Sequence, residues 1–122
     1  MRTRQEVIDA CLSLGEVYED YPFHDDNWTV MRHRGSRKMF AAIHLRQGNI
    51  WVNVKAEPQW GAFWRNTFAA VVPAYHMNKE HWVSIILDGT MEEGDILRLL
   101  EDSYWLTRPK PRKRNTQEDD QE

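Results

Sequence analysis

The spacing of apolar residues predicts a helix near the N-terminus. We place it over residues 4–14, because Thr3 and Glu6 have the spacing of a capping box and Gly15 is typical of a helix end. Its apolar residues recur at helical spacing and are Val7, Ile8, Cys11 and Leu12. The residues that follow, 15–27, are acidic and irregular, and we expect Tyr21 to Phe23 to anchor this loop on the body.

Two further helices are predicted in the second half of the chain. One begins at Pro58, which suits the first turn of a helix, and we expect its apolar stripe to pack in the core. The stripe consists of Trp60, Phe63, Trp64, Thr67, Phe68 and Val71. The last helix follows a second capping-box pattern, Thr90 to Glu93, and should end near residues 105–107. Its apolar face comprises Ile96, Leu97, Leu100 and Tyr104.

Between the helices the period of the pattern changes to that of strands. Five strands are predicted over residues 28–33, 38–46, 49–55, 74–77 and 81–87. Turns are expected at residues 34–37, at Gln47-Gly48 and around Asn78 to Glu80. The stretch from Tyr75 to Trp82 is therefore interpreted as a second hairpin.

Alternation along the strands assigns residues to the two faces of the sheet. The aliphatic set should face the core: Ala41, Ile43, Leu45, Ile50, Val52 and Val54. The opposite face should carry Phe40, Ala42, His44, Trp51, Asn53 and Lys55.

The element order is helix, three strands, helix, two strands, helix. This predicts a two-layer α+β fold, with one antiparallel five-stranded sheet and the helices packed on one face. Residues 1–107 should form a single domain, a size consistent with one core. Residues 108–122 contain no aliphatic or aromatic side chain to bury, so we expect a charged, mobile tail.

Composition narrows the classes of function. The 122 residues carry a formal charge of −3, with 11 basic and 15 acidic residues in 1–107, which is not typical of a protein built chiefly to bind phosphate. No apolar run is long enough for a bilayer, and the N-terminus lacks the pattern of a signal peptide. The single cysteine fits a reducing compartment. We therefore expect a cytoplasmic protein without membrane contact.

No catalytic, metal or cofactor site is expected from the motifs. His76 and His81 flank a turn, and His24 precedes two aspartates, but neither group presents three ligands at a characteristic spacing. Cys11 lies on an apolar helix stripe, where a buried, inert thiol is expected. No serine lies in a recognised nucleophile motif, and no glycine-rich phosphate loop is present. The sequence therefore does not predict an enzyme.

Two features of the predicted sheet indicate binding, and each has an alternative interpretation. Cations flank the first hairpin turn, where they either contact phosphates or simply balance the acidic loop in solvent. The polar sheet face carries aromatics that either stack a flat ligand or are covered by the loop, a helix edge or a second subunit. Trp82 and Ser84 join this face if the register allows.

The chain resembles the MmcQ/YjbR family over about residues 3–106. The motifs that carry the resemblance are Glu19 to Phe23, Lys38-Met-Phe40, Lys55, Pro73-x-Tyr-His-Met-Asn-Lys79, Trp82 and Ser103-Tyr104. The resemblance implies a small bacterial protein with a frataxin-like or secretion-chaperone-like fold that binds DNA through a double wing. The wings would be the hairpins around Gly35 and Lys79. In the second hairpin, Tyr75 and Trp82 are expected to pack, and His76, Lys79 and His81 to face solvent.

The leading functional prediction is therefore DNA binding through basic hairpin wings, with no cofactor. The predicted contact residues are Arg32, Arg34, Arg37, Lys38, Lys55, His76, Lys79 and Trp82. The alternative is a non-catalytic module that binds a protein partner or a small ligand on the aromatic sheet face.

Overall fold

The computed structural model describes residues 1–109 and shows an α+β fold with one sheet. The elements are α1 (Arg4–Leu12), β1 (Val17–Asp20), β2 (Thr29–His33), β3 (Met39–Arg46), β4 (Asn49–Lys55), α2 (Pro58–Thr67), β5 (Val71–Pro73), β6 (Trp82–Leu87) and α3 (Glu93–Thr107). The strand order is β1-β2-β3-β4-β6-β5, and all neighbouring strands pair antiparallel. The predicted fold class is confirmed, with six strands instead of five.

The additional strand, β1, lies within the segment predicted to be irregular. Val17 to Asp20 pair with Val30 to His33 of β2 at the edge of the sheet. Only Val17 of the four is buried, and two of the others are acidic. A short edge strand with a single core residue leaves no clear alternation in the sequence, and its pairing is supplied by β2.

The end of the second helix was also predicted wrongly. The helix ends at Thr67, and Val71 belongs to β5, which pairs with β6 from Val71 to Pro73. The strand predicted at residues 74–77 is instead the first part of the loop between β5 and β6. The second hairpin is confirmed, but its first strand lies three residues earlier.

A β-bulge places Phe40 on the face opposite to the one predicted. Met31 pairs with Ala41 and Arg32 with Met39, so Phe40 is an extra residue between two pairs. Its side chain is fully buried in the core and packs edge-on against Tyr104 of α3, with ring centroids 5.5 Å apart. Strict alternation fails here because a bulge moves one side chain to the other face.

The aliphatic residues assigned to the core face lie on the predicted side of the sheet, but Leu45 is not covered there. Ala41, Ile43, Val52 and Val54 lie in the core beneath the helices. Leu45, near the end of β3, is 53% exposed. Alternation sets the side of the sheet on which a residue lies, but it does not set how far the helices extend over that side.

Ser103 joins the last helix to the middle of the sheet. Its hydroxyl donates to the carbonyl of Phe40 (2.5 Å) and accepts from the amide of Lys55 (2.8 Å). The capping box predicted for the last helix is absent. Glu92 is the N-cap residue and forms no side-chain cap bond, and the Thr90 hydroxyl donates to Asp88 instead. The capping box of α1, formed by Thr3 and Glu6, is confirmed.

The aromatic stripe of α2 is only partly in the core. Gly61 faces the sheet, where an added Cβ would lie 3.5 Å from Val83. Trp64 is buried beside it, while Trp60 and Phe63 are about half exposed. Gly61 and Trp64 therefore mark the buried side of the helix. The prediction of a wholly buried stripe was wrong.

Candidate functional site

Cations from several elements meet at one end of the sheet. The turn between β2 and β3 lies at this end, and so do the last residue of β4 and the first residue of β6, because Lys55 pairs with Trp82. The last turn of α3 also ends here, since His33 and Thr107 hydrogen-bond at 2.8 Å. We call this region the basic end and define it by its cations, Arg34, Arg37, Lys38, Lys55, Lys79 and Arg108.

The first hairpin turn is strained and exposed. Gly35 and Arg37 both have positive φ angles, of 87° and 64°, so the backbone turns through left-handed conformations. Arg34 lies over the ring of Tyr18, with its guanidinium carbon 5.5 Å from the ring centroid. Lys38 is exposed. The turn therefore presents three cations outside the sheet.

Arg32 differs from the other predicted contact residues. Its Nε forms an ion pair with Asp20 at 2.7 Å, and its Nη1 donates to the carbonyl of Arg37 at 3.0 Å. The charge of the guanidinium is therefore partly neutralised by Asp20. The bond to the Arg37 carbonyl holds the backbone of the turn against β2.

Among the predicted residues of the second hairpin, only some lie at the basic end. Lys79 is exposed in the loop before β6, and Trp82 is half-buried opposite Lys55. His76 instead reaches the face of the sheet away from the helices, where its ring is 3.9 Å from that of Tyr75. As expected, Tyr75 and Trp82 are partly buried, while His76, Lys79 and His81 are exposed.

The sheet face away from the helices carries an aromatic cluster, formed by Trp28, His44, Trp51 and Tyr75. His44 lies between Trp28 and Tyr75, with ring centroids at 4.0 and 5.5 Å and both rings near-parallel to it. The guanidinium of Arg46 covers Tyr75 at 4.2 Å and Trp51 at 4.8 Å. The loops around Trp28 and Tyr75 thus cover the face, in agreement with one of the alternatives that the sequence left open.

His44 is neutral in this cluster. The side chain is 1% exposed, and no residue of the described range 1–109 hydrogen-bonds to either ring nitrogen. Burial lowers the pKa of His44 to about 4, and the positive charges of Arg46 and Arg4 add to the effect.

Hydrogen bonds hold the second hairpin loop onto this face. The Asn53 amide donates to the Tyr75 carbonyl (2.8 Å), the Ser84 hydroxyl donates to Asn53 Oδ1 (2.5 Å), and the Tyr75 amide donates to Ser84 (3.0 Å). Asn53 and Ser84 were predicted to lie on the outer face, and they do so, but they are fully buried there. They fix the loop in place and do not present a polar surface to solvent.

A groove of about 400 Å³ remains open beside the cluster. It is lined by Phe23, Asp25, Trp28, Val30, Met39, Ala42, His76 and Met77. These residues come from two loops and from strands β2 and β3. The sequence placed Ala42 on this face of the sheet and named His76 as a contact residue, but it did not predict that the two loops meet over the strands.

The part of the chain that the structure describes contains no group of metal ligands and no reactive cysteine. Within residues 1–109, no three His, Cys, Asp or Glu side chains are grouped so that they could hold a metal ion. Cys11 is buried, as predicted, and burial raises the pKa of its thiol to about 12. No helix in this range is long and apolar enough to cross a membrane.

Residues 12–106 match the model of the YjbR family. The chain belongs to the YjbR family. The uncharacterised protein YyaQ of Bacillus subtilis (strain 168) is 32% identical over 119 residues, which cover 88% of this chain and 100% of YyaQ. The uncharacterised protein YjbR of Escherichia coli (strain K12) is 26% identical over 102 residues, which cover 84% of each chain.

Solved structures share the YjbR fold. A crystal structure of a Deinococcus radiodurans protein with a DUF419 domain has a TM-score of 0.82 and 29% identity, covering 94% of this chain and 85% of that one. A crystal structure of a Pseudomonas syringae protein has a TM-score of 0.77 and 29% identity, covering 87% and 99%. The predicted family is therefore confirmed, and the fold is one that its relatives adopt.

Proposed function

We propose that this YjbR protein binds nucleic acid, and DNA in particular, through the basic end of its sheet. The observation that carries the proposal is the placement of six cations from four separate segments at one end of the molecule. Cations gathered on one surface are what a phosphate backbone requires, whatever the sequence of the bases.

The first hairpin is the main contact in this proposal. Arg34 and Arg37 flank Gly35 in an exposed turn, so both guanidinium groups are free to approach phosphates, to which arginine bonds in a bidentate manner. Arg32 acts as a positioning residue, because it bonds to Asp20 and to the backbone of Arg37. Lys79, on the second hairpin, would contact the backbone at a second point.

The charge balance of the chain determines the affinity for DNA that we expect. The formal charge is −3, and acidic Glu57 and Glu80 lie close in sequence to Lys55 and Lys79. Binding by the folded part should therefore be modest in affinity and sensitive to salt. The predicted tail lies outside the described residues from 110 onward, and its sequence adds Lys110, Arg112, Lys113 and Arg114. A 1–107 truncation removes this segment together with Arg108, so the binding that it keeps comes from the other five cations of the basic end.

Replacing Arg34 and Arg37 together by alanine is expected to weaken DNA binding about tenfold and to lower the slope of log K against log salt by about 1 to 2, since each lost phosphate contact contributes about 0.9. Fluorescence anisotropy of a labelled duplex, at low and at physiological salt, measures both quantities. The matched control is Arg65→Ala with Arg98→Ala, which removes the same charge from α2 and α3, outside the basic end. Arg65 is half-buried, and Arg98 pairs with Asp102.

An unchanged affinity in the Arg34 and Arg37 double variant would remove the first hairpin from the mechanism. Equal losses in the two double variants would mean that total charge, and not the basic end, governs binding. Absence of DNA binding by both the full chain and the 1–107 truncation would reject the proposal.

A second candidate function is the binding of a small, largely apolar ligand in the groove beside the aromatic cluster. Its volume lies within the range of about 300–1,000 Å³ typical of ligand pockets, and Asp25 and His76 supply polar groups among apolar walls. His76 has a positive φ angle of 62°, a conformation that non-glycine residues adopt most often at special sites.

Met39→Trp is expected to fill this groove and to abolish binding of any small aromatic compound that the wild-type protein binds there. Ligand-observed NMR with a library of such compounds provides the test, and Leu45→Trp, at an exposed position outside the groove lining, is the control. Binding that survives Met39→Trp would place the ligand elsewhere, and a library without hits would reject this candidate.

A further inference from the structure

Helices α2 and α3 leave large apolar side chains in solvent. Trp60 is 53% exposed, Phe63 49%, Trp105 57% and Leu106 40%. We call these four residues the tryptophan surface. A tryptophan that packs in a core or in an aromatic cluster, such as Trp64 or Trp51, is buried in the same structure. Two half-exposed tryptophans lining one cleft are therefore a feature that the fold itself does not require.

The tryptophan surface surrounds a cleft between the two helices. The cleft has a volume of about 310 Å³, with Trp60 on one side and Trp105 and Leu106 on the other. Ala56, Trp64 and Leu99, which are buried, form its apolar base. Phe63 packs edge-on against Trp60 at 5.5 Å, so that the two rings form a ridge beside the cleft. A ridge next to a cleft is a shape that a second copy of the same surface can match.

The exposed rings supply roughly a third to a half of the area that each partner buries in a standard interface. A fully buried aromatic side chain removes about 150–250 Å² from water, so the exposed portions of these three rings amount to roughly 250–400 Å². A standard interface buries about 800 Å² on each partner, of which about 65% is apolar in homodimers. The rings alone thus supply roughly half or more of the apolar area, and Leu106 and the cleft base add to it.

The charges around the cleft favour a second copy over a polyanion. The lining includes two cations, Lys55 and Arg98, and two carboxylates, Glu57 and Asp102. Arg98 pairs with Asp102 of the same chain at 3.4 Å. In a two-fold interface the same patch meets itself, so Lys55 of one copy can lie opposite Glu57 of the other. A nucleic acid would instead meet both carboxylates.

One cation of the basic end contacts the tryptophan surface. The guanidinium carbon of Arg108 lies 4.4 Å from the centroid of the Trp105 ring. More than half of the Trp105 side chain remains exposed beside it.

We propose that the protein forms a two-fold homodimer in which the tryptophan surfaces of two copies pack against each other. Each Trp60–Phe63 ridge enters the cleft of the other copy, and Trp105 and Leu106 close the contact. The contact is of modest size, and a dissociation constant in the micromolar range is expected for it. The contact adjoins the basic end, because Lys55 lines the cleft and Arg108 lies over Trp105, but it does not rest on the proposed DNA binding.

Sedimentation velocity of the full chain, over a concentration series spanning the micromolar range, is the direct test. The wild-type protein should shift from monomer to dimer, and tryptophan emission should shift to shorter wavelength as Trp60 and Trp105 leave water. Trp60→Glu and Trp105→Glu should each remain monomeric, because each removes a large apolar ring from the contact and places a charge that must lose its water there. Leu45→Glu places the same charge on another half-exposed apolar residue and should dimerise like the wild type.

Circular dichroism distinguishes loss of the contact from loss of the fold in these variants, and Trp60→Ala serves as a milder substitution if a glutamate variant fails to fold. A wild-type protein that stays monomeric throughout the series would overturn the proposal. So would a dimer that Trp60→Glu, Trp105→Glu and Trp60→Ala leave intact. If the wild-type protein is monomeric and Trp60→Ala abolishes its DNA binding, the tryptophan surface binds nucleic acid instead of a second copy.

Discussion

Phe40→Ala is expected to destabilise the protein by about 3–5 kcal/mol, the range seen when a fully buried phenylalanine is truncated. The ring is completely buried, lies 5.5 Å from Tyr104 and 5.1 Å from His33, and occupies the point where α3 meets the sheet. Whole domains are stable by only about 5–15 kcal/mol, so this one substitution should remove a large part of the total.

The bulge makes the position less able to adapt to a smaller side chain. Ser103 donates to the carbonyl of Phe40 and also binds the amide of Lys55, so the backbone is held while the side chain is removed. Because these hydrogen bonds fix the backbone, it cannot move into the cavity that Phe40→Ala leaves. The loss of unfolding free energy should therefore lie toward the upper part of the range.

Urea unfolding followed by tryptophan fluorescence measures the effect. Leu45→Ala, on the same strand but about half exposed, is the control and should change the free energy of unfolding far less. A Phe40→Ala variant no less stable than Leu45→Ala would mean that the ring does not occupy the core, and that the bulge is misplaced.

The second large effect expected is a loss of stability on mild acidification, caused by His44. Its pKa is about 4 in the folded protein against 6.5 for an ordinary histidine, so the unfolded chain takes up a proton at a higher pH than the folded one. The stability contributed by neutral His44 is therefore fully present above pH 6.5. It is lost as the pH falls from 6.5 toward about 4, and the total loss should be about 2–3 kcal/mol.

His44→Phe tests this origin directly. Phenylalanine preserves the stacking between Trp28 and Tyr75, and it removes two buried nitrogens that have no hydrogen-bond partner among residues 1–109. Near neutral pH the variant should be at least as stable as the wild type, because buried polar atoms without partners are costly. Between pH 6.5 and 4 its stability should fall much less steeply.

Urea titrations at several pH values compare the two proteins. His33, whose pKa burial also lowers, contributes a smaller dependence of the same sign, which should remain in His44→Phe. Glu6 and Asp88 have lowered pKa values, so they affect stability only at more acidic pH, near and below their ordinary values of 4.5 and 3.8. An equally steep fall in the two proteins would show that His44 is not the residue that titrates.

The basic end and the aromatic groove differ in how far the sequence predicts them. Arg34, Arg37 and Lys38 flank a turn marked by Gly35, so their presence together in an exposed hairpin follows from local sequence. The presence of Lys55 and Arg108 beside them does not, because it depends on strand pairing and on where α3 ends. The groove depends on nonlocal contacts, since its walls come from two loops and from strands β2 and β3, which meet only in the folded protein.

The sequence by itself determined the α+β class, the three helices, four of the strands and most of the division between the two faces of the sheet. Each of these follows from a period of two or 3.6 residues that the local chain imposes. The tertiary structure decided the edge strand β1, the bulge at Phe40, the exposed side of α2 and the covering of His44. Each of these depends on which segments contact each other across the fold, and a distant partner leaves no period in the local sequence.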